Sequence, residues 1–121
     1  ARTLLISDAA INIKPEFEDK IHIVQNAIDL AHALGIPEPK VALLSAVETV
    51  NPKIPSTMEA AALCKMADRG QIKGGLIDGP LAFDNAIDEE AAKTKGIVSP
   101  VAGKARRKRF AARFVRQFGT R

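Results

Sequence analysis

Apolar positions in the first hundred residues repeat one pattern three times: a short apolar run, a polar loop, then apolar residues at helical spacing. The first run is Thr3-Leu4-Leu5-Ile6-Ser7, of strand length. Pro15 suits the first turn of a following helix. In that helix Ile21, Val24, Ile28 and Ala31 recur on one face, with Leu34 near the end. Gly35 and then Pro37 mark its stop. The second run spans Val41 to Ala46, and its loop holds Asn51-Pro52 and Pro55. Ser56 and Glu59 have the spacing of a capping box, so a helix is predicted from there to about Arg69, stopped by Gly70. Met58, Ala62 and Met66 share a face at i, i+4, i+8 and are expected to pack, as is Cys64. The third run, Gly74-Gly75-Leu76-Ile77, is predicted to break at Asp78-Gly79-Pro80. An interrupted helical stretch follows from about Leu81 to Lys95, ended by Gly96, and Ser99 to Gly103 has a loop composition.

Strands alternating with helices predict an α/β fold with three layers around a mainly parallel sheet of repeated βα units. The strand runs are almost wholly apolar, as in strands covered on both faces. Three strands make a small sheet whose edges need cover.

Composition narrows the function classes. No apolar run in the 121 residues approaches the roughly 20 needed to span a bilayer. Ala1-Arg2-Thr3 leads straight into a strand-like run and does not read as a signal peptide. One cysteine excludes an internal disulfide and fits a reducing cytoplasm. With two histidines beside it, a zinc site has too few of its usual ligands, and no metal site is expected. Charge divides the chain. Residues 104–121 hold eight Lys/Arg and no acidic residue, whereas residues 1–103 hold ten basic and fourteen acidic residues and sum to −4. The high isoelectric point therefore belongs to the tail and carries no information about the domain's partners.

In an open α/β sheet, ligands bind beyond the carboxyl ends of the strands. This selects three loops: Asp8 to Asn12, Val47 to Pro55, and Asp78 to Asn85. Helix N-termini there offer unpaired N–H groups that suit phosphate. Taken singly, Asp8, Ser56 and Asp84 read as caps and turn residues. Their placement on one sheet edge is what points to a site. No GxxxxGK[ST] loop or GxGxxG turn occurs, and His22 and His32 fall on the first helix, away from this edge.

At these loops the sequence resembles a known family. "ISDAAINIKP" (6–15), "KVALLSAVETVNPKIPSTMEAAALCKMADRGQIKGGLIDGPLAFDNAI" (40–87) and "KGIVSPVAG" (95–103) look like phosphate acetyl/butyryl transferases, in the versions found alone or fused behind an enoyl-CoA hydratase domain. The resemblance implies acyl exchange between coenzyme A, as substrate, and orthophosphate, with no bound cofactor. It implies a two-domain fold of the isocitrate/isopropylmalate dehydrogenase type with a cleft between domains, and a homo-oligomer. The family's Ser-Arg pair and Asp lie in a C-terminal segment, and a further arginine lies in its N-terminal domain. No residue of this chain matches those positions, so none inherits a catalytic role and the isolated chain is expected to be inactive. The residues carried over are cleft-lining candidates: Asp8, Asn12, Ser45, Asn51, Pro52, Asp78, Gly79, Pro80, Asp84 and Asn85.

After Gly103 the family would continue with an apolar "DILLVPD"-like strand. This chain reads "KARRKRFAARFVRQFGTR" instead, so the domain is placed at 1–103 and the basic tail at 104–121. The tail reads as a stretch outside the domain's pattern. Alternatively it is a basic amphipathic helix, with Phe110, Phe114 and Phe118 at i, i+4, i+8, binding nucleic acid or a membrane surface. Even on the first reading a helix would bring the three phenylalanines to the sheet edge. Neither nucleic acid nor membrane is the expected partner.

Overall fold

The computed structural model describes residues 5–7, 15–82, 84, 96, 99–100 and the backbone of 114–116. The three apolar runs form strands β1 (Ile6–Ser7), β2 (Lys40–Leu44) and β3 (Leu76–Leu81). Between them lie α1 (Phe17–Ala33) and α2 (Pro55–Asp68), and Phe114–Arg116 forms β4. The sheet order is β1-β4-β2-β3, and every pairing is parallel. The chain is thus a mixed α/β structure with a parallel sheet, as the alternation of runs predicts.

β2 lies inside the sheet between β4 and β3, and its buried residues share a core with both helices. Val41 and Leu43 join Val24, Ile28 and Ala31 of α1, Ala60 and Leu63 of α2, and Ile72 in one buried cluster. Ala42 and Leu44, which alternate with them, are also buried, so β2 is apolar on both faces. The third helical stretch, from Leu81 to Lys95, lies outside the described residues apart from Leu81, which ends β3, and Ala82 and Asp84. Hence the described layers are the sheet and the two helices on one face. An ion pair joins those helices, from buried Lys20 Nζ to a half-buried Glu59 carboxylate oxygen at 2.9 Å.

Both helices end as glycine predicts. In α1 the Ile36 N–H donates to Ala31 O and Gly35 N–H to His32 O. In α2 the Gln71 N–H donates to Met66 O and Gly70 N–H to Ala67 O. These are Schellman closures, which satisfy carbonyls left open by the helix end.

The helix starts differ from expectation. α1 begins at Phe17 with Glu16 as N-cap, so Pro15 precedes the helix; the Glu16 N–H is satisfied by Asp19 Oδ2 at 3.0 Å. α2 begins at Pro55 with Ile54 as N-cap, and no side chain caps it. Ser56 and Glu59 therefore form no capping box: Ser56 bonds Ser45, and Glu59 pairs with Lys20. The packing face of α2 also differs. Ser56, Thr57, Ala60 and Leu63 are buried, while Met58 is 48% exposed and Ala62 is exposed. Met66 and Cys64 still pack against the cluster. The helix uses its small residues to approach the sheet, which turns the longer Met58 outward.

The tail differs most. Across 114–116 the backbone is a strand, not a helix, so helical spacing of Phe110, Phe114 and Phe118 does not hold through this segment. Phe110 and Phe118 lie outside the described residues. A separate tie holds the turn before β3: the Gln25 side chain exchanges two hydrogen bonds with the Lys73 backbone, and His32 Nε2 donates to Gly74 O at 2.7 Å. His22 is exposed, and His32 serves this turn rather than any site.

Truncating fully buried Leu63 to alanine should cost about 3 kcal/mol, whereas Met58→Ala should stay within about 0.5 kcal/mol. Denaturant midpoints of the two variants check this; equal losses would contradict the assigned packing face.

Candidate functional site

The carboxyl end of β2 meets the amino end of α2, and hydroxyl groups fill the contact. Ser45 follows the last residue of β2 and is 4% exposed; Ser56, one residue into α2, is 2% exposed. Their Oγ atoms lie 2.7 Å apart. The Ser45 N–H donates to Leu81 O at 2.9 Å, so the same residue also borders the end of β3. Ser45 is therefore the junction of two loops that sequence reasoning assigned to one edge.

Asn51 and Thr57 shape the intervening loop. Thr57 Oγ1 accepts the Asn51 N–H at 2.9 Å and donates toward Ile54 O at 2.7 Å, with Asn51 O at 3.0 Å beside it. Asn51 Oδ1 accepts the Lys53 N–H at 2.9 Å, an Asx turn that leaves Pro52 exposed at its tip. Thr57 is fully buried and was not among the candidates. Pro55 was the signal: proline favours the first helical position, which makes Ile54 the N-cap and Thr57 the third helical residue, facing back into the loop. Beside this fixed loop, Val50 is 55% and Met58 48% exposed, two apolar groups on a hydroxyl-lined edge.

Asp78, Gly79 and Pro80 sit inside β3 rather than in a loop beyond it. The strand does not break there; it bulges. Ala42 pairs with Asp78 and Leu44 with Leu81, so two residues of β3 oppose Leu43 alone. Gly79 makes this possible. A Cβ on it would lie 2.6 Å from Leu43 Cβ and 2.8 Å from Leu43 O. The Gly79–Pro80 peptide is cis, and Pro80 is buried. Asp84 is exposed, and Asp8, Asn12 and Asn85 lie outside the described residues.

Cys64 lies behind the bulge, its Sγ 3.7 Å from Gly79 O. Burial, then the carboxylates of Asp78 and Asp68, push its thiol up to about 12. It is a protonated packing residue, not a nucleophile. Among the described residues no three His, Cys, Asp or Glu side chains gather as metal ligands, and no helix is long and apolar enough to cross a membrane.

Comparison with known proteins gives this fold and edge a family. The family model described as "Phosphate acetyl/butaryl transferase" matches residues 1–106. The chain belongs to that family. A phosphate acetyltransferase of Rhizobium meliloti is 73% identical over 103 residues, which are 85% of this chain and 33% of the relative. A phosphate butyryltransferase of Clostridium acetobutylicum is 58% identical over 104 residues, 86% of this chain and 35% of the relative. A crystal structure of a branched-chain phosphotransacylase from Enterococcus faecalis V583 superposes with a TM-score of 0.78 at 37% identity, covering 93% of this chain and 39% of that one. The chain spans about a third of the length of the curated relatives it matches. Within this phosphate acyltransferase segment, the contact of Ser45, Asn51, Ser56 and Thr57 carries no formal charge, whereas Glu48 and Lys53 of the same loop and Asp84 beyond β3 do.

Two outcomes check the geometry. Gly79→Ala forces β3 away from β2 and should lower stability by about 2 kcal/mol, measured by denaturant unfolding. Cys64 of the folded chain should react with a disulfide reagent at pH 8 about a thousandfold more slowly than in denaturant, because a thiol near 12 rather than 9.0 has that much less thiolate. Reaction as fast as in denaturant would contradict its burial.

Proposed function

We propose that this chain forms part of the cleft wall of a phosphate acyltransferase that exchanges an acetyl or butyryl group between coenzyme A and orthophosphate. The observation that carries the reading is the 73% identity to a phosphate acetyltransferase over 103 residues. The chemistry is direct transfer. A base removes the coenzyme A thiol proton, the thiolate attacks the acyl phosphate carbonyl, and the acyl–oxygen bond breaks to release phosphate.

The described edge suits a supporting role in that reaction. The N-terminus of α2 opens there with its partial positive charge, a favourable neighbour for phosphate. Ser45, Asn51 and Pro52 define the edge, with Asp84 beyond β3; Asp78, Gly79 and Pro80 support it from within the strand. Asp8, Asn12 and Asn85 complete the proposed wall from the other two loops. Val50 and Met58 provide an apolar lip against which an acyl chain or the pantetheine arm can lie. Lys53, exposed in the same loop, is a cation near this wall. No residue of this segment matches the family's catalytic positions, which is why the isolated chain is expected to lack exchange activity. In the larger enzyme this segment belongs to a two-domain fold of the isocitrate/isopropylmalate dehydrogenase type, in a homo-oligomer in the cytoplasm. The pairing of Phe114–Arg116 within the sheet counts against a free basic helix on nucleic acid or membrane.

A chimera tests the proposal. Residues 1–103 of this chain replace the matching segment of the Rhizobium meliloti enzyme, and coenzyme A-dependent acyl phosphate formation is measured. Activity within about tenfold of the parent is expected, a loss of at most about 1.4 kcal/mol in transition-state stabilisation. A folded but inactive chimera would overturn the reading, as would full exchange activity in the isolated chain for its second half.

A further inference from the structure

Lys53 differs in place from the other cations whose side chains are described. Lys20 is buried against Glu59. Lys40 opens β2, Lys65 and Arg69 close α2, and Lys73 lies in the turn before β3. In a parallel sheet with returning helices, the last four all fall at the amino edge. Lys53 stands at the carboxyl edge, in the loop between β2 and α2. It is exposed, and the one ion pair among the described residues, Lys20 with Glu59, does not involve it. Its backbone is fixed. Asn51-Pro52-Lys53-Ile54 is a turn closed by the Ile54 N–H donating to Asn51 O at 2.9 Å, with proline in the second position. Asn51 Oδ1 accepts the Lys53 N–H at 2.9 Å, and Thr57 Oγ1 accepts the Asn51 N–H at 2.9 Å. Thr57 is fully buried in the first turn of α2, so these bonds tie the base of Lys53 to the helix. The side chain therefore leaves from a set point, which lowers the ordering cost of any contact its ammonium makes.

We infer that Lys53 is a substrate-binding residue whose ammonium holds a phosphate group in the acyl exchange, and that Thr57 is its positioning residue. The inference rests on the acyltransferase reading, in which orthophosphate, acyl phosphate and coenzyme A all carry phosphate. Their shared chemistry is a phosphate oxygen that accepts a charge-assisted hydrogen bond from an ammonium. Lysine suits this as a point charge with three donors on a flexible stem, without the fork geometry that arginine imposes. The neighbouring contact of Ser45 with Ser56 is neutral, so Lys53 adds to this edge the positive charge that the hydroxyl groups lack. Thr57 does not reach the ligand. It acts through Asn51, whose backbone it holds and whose side chain in turn holds Lys53.

The full chain is titrated with orthophosphate, with coenzyme A and with pantetheine, which carries no phosphate, and amide shifts are followed by NMR at low ionic strength. Saturable shifts at Asn51 and Lys53 are expected with a phosphate-bearing probe and not with pantetheine. Lys53→Gln should weaken that binding about tenfold, and Lys53→Arg should keep it. Added salt should weaken it as well, since the charge is exposed. Thr57→Val leaves the ammonium in place but releases Asn51, and should weaken binding about threefold, with Thr57→Ser restoring it. Kinetics of the chimera with the Rhizobium meliloti enzyme identify the source of the phosphate. Lys53→Gln should raise KM about tenfold with kcat held within about twofold, for orthophosphate if that is the group bound and for acyl-coenzyme A if the group belongs to the coenzyme. An inactive chimera beside phosphate-dependent shifts in the full chain would count against the acyltransferase reading and still support phosphate binding by Lys53. Absence of saturable shifts with both phosphate probes, equal shifts with pantetheine, or an active chimera whose KM values ignore Lys53→Gln would each overturn the inference.

Discussion

Leu43 is fully buried, and the backbone of β3 comes so close to it at Gly79 that no side chain fits between them. Much of the described edge follows from that approach. Because Gly79 and Pro80 together oppose Leu43, β3 runs on to Leu81 instead of ending at Ile77. Leu81 then offers its carbonyl to Ser45, and Ser45 is held where it can meet Ser56. On its helix-facing side Leu43 packs in the cluster that seats α1 and α2. One residue thus couples the strand register, the helix seating and the position of the hydroxyl contact. Packing this dense resists small displacements, because interiors transmit strain instead of absorbing it.

The legible parts of the sequence were those governed by local rules. The apolar runs at Ile6, Val41 and Leu76 became parallel strands, since continuous apolar runs have few other uses in a chain this polar. The face of α1 at Val24, Ile28 and Ala31 followed from helical period, and Gly35 and Gly70 closed their helices as glycine does after a last turn. The failures came where a distant partner decided the outcome. Asp78-Gly79-Pro80 has the composition of a turn, yet Leu43 across the sheet draws it into a strand. Ser56 has the spacing of a cap, but Pro55 fixes the start of the helix and Ser45 takes the hydroxyl. Met58 and Ala62 match helical period as well as Ala60 and Leu63 do; only the way the helix seats on the sheet selects between them. β4 was unreadable for a further reason. Its pairing partners in β1 and β2 lie far back along the chain, and its short Phe-Val-Arg run stands in a basic stretch.

At the candidate edge, position was more legible than chemistry. Ser45 and Asn51 stand beyond the carboxyl end of β2, but their polar groups are engaged with Ser56, Thr57 and Lys53. Those bonds rigidify the loop between β2 and α2, and a loop held by side-chain and backbone hydrogen bonds is preorganised before any ligand arrives. Catalysis of acyl transfer requires stabilisation of charge that develops on oxygen, and hydroxyl groups already bonded to each other supply little of it. The hydrogen bonds of Ser45, Asn51, Ser56 and Thr57 therefore serve the shape of the loop. This segment fixes the shape of an edge.

A second constraint acts on the flank of β2 where β4 pairs. Val41 to Leu44 would expose a fully apolar edge if the slot stood open, and an unpaired edge of that kind invites association. Three residues of backbone pairing relieve this, although the segment that supplies them is basic. Main-chain hydrogen bonds are indifferent to side-chain identity, so the ladder can form where the composition suits it poorly. Ile6, in register with Phe114, is 59% exposed on the other flank of β4.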